Sequence, residues 1–385
     1  MLDPSGNEAV LHCQERILLP YTQDIVTFVR VAVRLAPRDT LTKNQEALRM
    51  QRRFDLNTSI RITTDSSIRA RIRAVPLRLV VLSLFVAFLV SNMAYAQAPA
   101  GPNRPAGVPD GYVITPFGYF HASCVLRLAE GETLLEDARA IQRADGTLES
   151  VAACDHPRYS ASGEIVVAGG QPPSISHSWI ESADTTTSTS YGKLAATWTV
   201  PPAPASNDGQ TVYFFPGLED INHVVSILQP VLGWNADFGG AWGIASWNCC
   251  PRGITVESAP VSVNSGNQIQ GTIRDLCSAG TLSCSKWRVT SQDVSTGQST
   301  MLNNTPSEGQ TFNWAFAGAL EVYNVVQCTD YPSNGALTFS NIALYDYNFT
   351  RISNPGWSMT IWASGLTPQC GYGGPVAAGR VTLDY

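Results

Sequence analysis

From about residue 164 to the C-terminus the chain is a succession of short runs rich in β-branched and aromatic residues, each closed by turn residues. The runs are KLAATWTVP (193–201), QTVYFFPGL (210–218), HVVSILQPVLGW (223–234), GAWGIASWN (240–248), GITVESAPVSV (253–263) and NQIQGTIRDL (267–276). They continue with KWRVTSQDV (286–294), FNWAFAGALEVYNVV (312–326), LTFSNIALYDY (337–347), WSMTIWAS (357–364) and RVTLDY (380–385). Residues of this kind fit a pleated, half-buried surface, and Gly, Pro, Asn, Asp and Ser punctuate it. No segment in this region has the length and spacing of an amphipathic helix. Many strands at short spacing predict an all-β, antiparallel β-sandwich over 164–385. Few charges (15%), 31 Gly and 24 Pro favour the same class.

The first hundred residues follow another logic. Arg69, Arg71, Arg73 and Arg78 precede LVVLSLFVAFLV (79–90), and AYA follows at 94–96. A basic region, a short apolar core and a small-x-small site describe a secretory signal, with cleavage expected after Ala96. Residues 1–96 are therefore read as a leader. The part upstream of the signal is abnormal for one, and Met50 is an alternative start. Export predicts an extracellular protein with no stable membrane association once the signal is cut. Residues 97–385 carry 12 Lys+Arg and 23 Asp+Glu, a net charge of 12 − 23 = −11. Such a surface disfavours nucleic acid and anionic membranes as partners.

Cysteine usage agrees with export. Eight of the nine cysteines follow the leader, and an even number in an exported chain suggests disulfides. The spacing suggests Cys124 with Cys154 and Cys277 with Cys284, leaving Cys249 and Cys250 to reach Cys328 and Cys370. No paired CxxC and no HExxH spacing exists, so neither a metal nor another cofactor is expected. Residues 97–163 read as a Pro/Gly/Ala linker followed by a small N-terminal extension or pro-segment. Leu134, Leu135, Ala138 and Ile141 within 130–143 suggest one short helix there.

Two polar residues interrupt otherwise apolar strands. Gln229 shares the face of Val225, Ile227 and Val231, and Glu321 shares that of Ala319 and Tyr323. A primary amide is costly to bury without partners, and burial raises a carboxyl pKa. Each residue is equally compatible with a solvent-facing position on the outside of its sheet.

The ordered set ATWTVP (196–201), VYFFPGLED (212–220), ILQPVLGW (227–234), VSVNSGNQIQGTI (261–273), STGQS (295–299) and ALEVYN (319–324) resembles the eqolisins, the glutamic endopeptidases. The resemblance covers about 195–345. It implies two antiparallel sheets in a concanavalin-like sandwich of jelly-roll type, with Gln229 and Glu321 as a catalytic pair on a concave face. Glu219 stands where the family has an acidic residue after its Gly-Ile. The chain departs from the family at Gly233, usually acidic, and at Val322, usually tryptophan. It also has extra residues in Tyr213-Phe214-Phe215-Pro216-Gly217.

Peptide hydrolysis by such a pair needs no metal and no covalent intermediate. Glu321 would act as general base and then acid, and Gln229 as oxyanion donor and water holder. Polypeptide substrates are the partners this implies, acted on by a monomeric enzyme. Glu219, Trp198, Phe214, Trp234 and Trp242 are candidate substrate contacts, although each aromatic is also a natural core residue. His223 before Gln229 has no nucleophile elbow to serve. The competing function class is a concanavalin-like carbohydrate-binding protein or glycoside hydrolase, with Glu219, Glu257 and Glu321 as possible carboxylates.

Overall fold

The computed structural model describes residues 104–166, 178–222, 226–362 and 368–385. The leader, its cleavage site and His223 lie outside the described residues. Eight short strands come first: β1 (Tyr112–Thr115), β2 (Gly118–His121), β3 (Val125–Leu128), β4 (Thr133–Leu134), β5 (Ala140–Gln142), β6 (Leu148–Ser150), β7 (Arg158–Tyr159) and β8 (Ile165–Val166). The main body follows with β9 (Trp179–Thr186), β10 (Tyr191–Thr199), β11 (Thr211–Glu219), β12 (Ile227–Trp234), β13 (Trp242–Cys249), β14 (Thr255–Ser258), β15 (Val261–Val263) and β16 (Gln268–Asp275). It ends with β17 (Lys286–Asp293), β18 (Ser299–Pro306), β19 (Trp314–Tyr323), β20 (Ala336–Asp346), β21 (Arg351–Ile352), β22 (Ser358–Ile361), β23 (Val376–Ala377) and β24 (Arg380–Asp384).

Two large sheets form the sandwich. One runs β18-β17-β16-β10-β20-β24-β23, with β21 on β20. The other runs β22-β9-β19-β11-β12-β13-β14-β3, with β15 on β13. All pairings within both sheets are antiparallel except β14 with β3. The first sheet shows the alternation of a half-solvated face, with β16 and β17 buried at every second residue. In the second sheet β11, β12, β13 and β19 are buried at every position, so both of its faces are covered.

The core between the sheets contains Trp198, Phe214, Leu218, Leu228, Leu232, Trp287, Leu320 and Phe339. Gly271 permits the close approach of the two layers. A Cβ there would lie 2.6 Å from Pro230 Cγ and 2.8 Å from Trp198 Cη2. Pro230 itself sits within a central strand, where a missing N–H normally weakens a ladder. The β11–β12 register, read between Phe214–Leu232 and Leu218–Leu228, sets it opposite Pro216, so the two imide nitrogens lie at one level.

The N-terminal extension is β-structured, which corrects the expected helix over 130–143. Leu134 and Ile141 face the main core from β4 and β5, in a three-stranded sheet with β6. The apolar positions are real, but Gly131 and Gly146 at positive φ and a turn at Ala138 break the segment into hairpins. Cys124–Cys154 and Cys277–Cys284 pair as the spacing suggests. Cys249 pairs with Cys250 and Cys328 with Cys370, correcting the expectation that the adjacent cysteines reach the distant ones.

Candidate active site

The outer face of the second sheet carries the unusual chemistry. Period-two alternation places Ile227, Gln229 and Val231 of β12 on this face, together with Tyr213, Phe215 and Glu219 of β11. On β19 it receives Phe316, Ala319, Glu321 and Tyr323. A register shift between Phe316 and Gly318 accommodates an extra residue, so the even and odd positions that flank it share a side. The apolar members form a second hydrophobic cluster, separate from the core between the sheets.

Gln229 and Glu321 thus share a face, two strands apart, with β11 between them. They do not bond to each other. The Gln229 Nε2 amide donates to the Pro116 carbonyl at 2.9 Å, and its Oε1 has no partner among the described residues. Glu321 Oε1 accepts from the Tyr323 hydroxyl at 2.6 Å, and its Oε2 has no partner among the described residues. By register Gln229 lies beside Gly217 and Glu321 beside Tyr213. Four residues along β11 separate these levels, about 13 Å on a flat strand. Glu219, beside Ile227, is the nearer carboxyl in register, a diagonal neighbour of Gln229 on the adjoining strand.

Burial dominates the electrostatics. Glu321 is inaccessible to solvent, and burial pushes its pKa up to about 7, against the opposing pull of the Tyr323 donor and the Arg158 guanidinium. Ser178 and Trp179 also favour the ionised form, although neither makes a hydrogen bond of ordinary geometry to Oε2. Glu219 is raised well above the usual carboxylate range by burial, with Arg158 opposing, and neither of its oxygens has a partner among the described residues. At the far side of the face, Arg127 Nη2 contacts Glu257 Oε2 at 2.9 Å and Asp237 Oδ1 at 2.7 Å. Burial raises both of those acids as well.

Buried polar atoms in native proteins nearly always find partners, so exceptions mark places built for something else. Glu219 Oε1 and Oε2, Gln229 Oε1, Glu321 Oε2 and Tyr213 Oη are such exceptions, and all belong to this one face. No group of three or more His, Cys, Asp or Glu is arranged to hold a metal among the described residues.

The N-terminal extension covers the face. Phe117, Tyr119 and Phe120 of the β1–β2 hairpin join the outer cluster, and Tyr119 meets the Tyr323 ring edge-on at 5.4 Å between centroids. Arg158 of β7 stacks over Phe117 at 4.6 Å and supplies the charge felt by Glu219 and Glu321. Nothing in the strand alternation of 164–385 announces this cover. Its signal in the sequence is the aromatic run ITPFGYF (114–120).

The expected aromatic contacts lie elsewhere. Trp198, Phe214, Trp234 and Trp242 are buried in the core between the sheets, on the opposite side of the second sheet from Gln229. The aromatic residues that do stand on the candidate face are Trp179, Tyr213, Phe215, Trp247, Trp314, Phe316 and Tyr323.

No family model and no curated protein matches this chain. Among solved structures it is similar to scytalido-glutamic peptidase bound to a transition state analog inhibitor, at 16% identity over 54% of this chain and 98% of that one, TM-score 0.40. SCP-B, a member of the eqolisin family in complex with the tripeptide Ala-Ile-His, is similar at 16% identity over 54% and 98%, TM-score 0.38. Aspergilloglutamic peptidase from Aspergillus niger is similar at 16% identity over 46% and 98%, TM-score 0.31. The chain is similar, at a distance, to glutamic peptidases of known structure.

Proposed function

We propose that the chain is a secreted glutamic-type endopeptidase, independent of metals, that works in acid and is held latent by its N-terminal extension. The observation that carries this reading is the outer face of the second sheet. There an amide and two carboxyls, Gln229, Glu321 and Glu219, are buried on three successive strands, with Glu219 nearer to Gln229 in register than Glu321 is, and several of their polar atoms have no partner among the described residues. The ordered motifs around these residues support it.

In the reaction, an ionised Glu321 takes a proton from water, and the resulting hydroxide adds to the scissile carbonyl carbon. For the Gln229 N–H to donate to the oxyanion that forms, the two side chains must close the offset of four residues between their levels once the cover is displaced. As the C–N bond breaks and the carbonyl re-forms, Glu321 returns the proton to the leaving nitrogen. The Glu321 pKa of about 7 belongs to the covered state. A carboxyl with that value is mostly protonated in acid and poor as a base. Displacing residues 104–166 admits water, relieves the desolvation that is the largest cause of the shift, and frees the Gln229 amide from Pro116. One event thus restores both the base and the oxyanion donor.

The test is protein digestion from pH 2 to 6 by the intact chain and by chain nicked between 167 and 177. Hydrolysis by the nicked form only, insensitive to pepstatin and EDTA and lost in Glu321→Gln, supports the reading. Activity unaffected by Glu321→Gln and Gln229→Ala excludes it.

A further inference from the structure

Tyr323 lies two residues beyond Glu321 on β19 and therefore on the same face. Its hydroxyl donates to Glu321 Oε1 at 2.6 Å, and both side chains are buried. The phenol ring is held edge-on by Tyr119 at 5.4 Å and Tyr213 at 6.2 Å between centroids. A ring held on two sides has little freedom to swing its oxygen away from the carboxyl. The two oxygens of a free carboxylate are equivalent; here one is bonded and the other, Oε2, has no partner among the described residues.

We propose that Tyr323 is a positioning residue for Glu321: its hydroxyl fixes Oε1, so that Oε2 alone is presented to receive and return the proton. The assignment of the proton to Oε2 rests on the peptidase reading above; the hold on Oε1 rests on the geometry alone. A phenolic donor also favours the charged carboxylate. The other groups that act on Glu321 do so with mixed sign. Arg158 favours its ionised form, Ser178 and Trp179 do the same as donors, and an ionised Glu219 opposes it. Tyr213, whose pKa burial raises, stays neutral beside them. Tyr323 is the one with a short, direct bond.

Tyr323→Phe keeps the ring and removes only the oxygen. In the intact chain, the side-chain carboxyl carbon of Glu321, followed by carbon-13 NMR against pH, should titrate with its midpoint raised by about one pH unit. Tyr119→Phe, which removes a hydroxyl not bonded to Glu321, should leave the midpoint in place. In the nicked chain, the acid-side limb of the kcat/KM profile should move up by the same amount, with kcat falling and KM unchanged. An unchanged Glu321 midpoint in Tyr323→Phe overturns the proposal, as does a midpoint shifted equally by Tyr119→Phe. If Tyr323→Phe does not fold, the wild-type Tyr323 hydroxyl proton decides. A downfield resonance that titrates with Glu321 supports the bond, and none overturns it. A shifted midpoint with no peptide hydrolysis in any form leaves the hold on Oε1 standing and removes the peptidase reading.

Discussion

Gly233 lies against the ring of Tyr213, closely enough that a Cβ at Gly233 would stand 3.1 Å from Tyr213 Cδ1 and Cε1 and 2.7 Å from Ala236 Cβ. The position four residues after Gln229 is thus closed to any side chain while Ala236 and Tyr213 keep their places. Gly233→Asp should therefore destabilise the fold by about 1–3 kcal/mol through overpacking. Thermal unfolding measures it. Gly233→Asp should cost less in a Tyr213→Ala background than in the wild type, because one of the two obstructing groups is then gone.

The buried carboxyls set the pH dependence of stability. Glu321 has a folded pKa raised to about 7 from 4.5, so the folded state binds more protons than the unfolded chain between these values. Stability from this group is full below pH 4.5 and lost as pH rises toward 7, amounting to about 3 kcal/mol by linkage. Glu219 and Glu257 are shifted in the same direction. The intact chain should unfold at higher temperature at pH 4 than at pH 7.5, and Glu321→Gln should flatten that slope. A melting temperature that climbs steadily from pH 4 to 7.5 contradicts the assignment.

Arg127 is the cation that β3 brings to Glu257 and Asp237. Arg127→Ala leaves two buried acids to neutralise each other by sharing a proton. The cost should be smaller in acid, since burial raises both pKa values and favours the protonated forms, and should grow toward neutrality to about 3 kcal/mol, as for a broken buried pair. Denaturant unfolding at pH 4 and pH 7.5 separates the two regimes. An equal loss at both pH values points to lost packing of the arginine stem instead.

The disulfides differ in what they close. Cys328–Cys370 spans 42 residues and Cys277–Cys284 spans 7. Loop-closure entropy predicts a loss of about 4 kcal/mol on removing the first and about 2 kcal/mol on removing the second. Paired Cys→Ala variants and unfolding curves check the order.

Much of the sandwich was legible in the residues because its strands alternate or run apolar between clear turns. All eleven runs contain an observed strand. β9 and β18 were not legible. Glu181, Ser182 and Asp184 make β9 look like surface, and Asn303, Asn304 and Pro306 do the same for β18. The shared face of Gln229 and Glu321 fits the period of two, yet period says nothing of level along a strand. Only the register shows that Glu219 lies nearer to Gln229 than Glu321 does. Tryptophans give no hint of which side of a doubly covered sheet they take. Trp234 and Trp242 therefore fell in the core, while Trp179 and Trp247 stand on the candidate face. The cover was invisible for a different reason: long-range docking of a hairpin leaves no periodic trace in the strands it covers.

The central claim is that Gln229 and Glu321 act as one reacting centre. The most direct measurement is kcat/KM for peptide hydrolysis at acid pH by the nicked chain, in Gln229→Ala, Glu321→Gln and the double variant, with Glu219→Gln alongside. Residues acting as a unit are strongly non-additive, so the double variant should be no slower than the worse single one. Effects that multiply in the double variant, or activity kept in Glu321→Gln and lost in Glu219→Gln, would contradict the account.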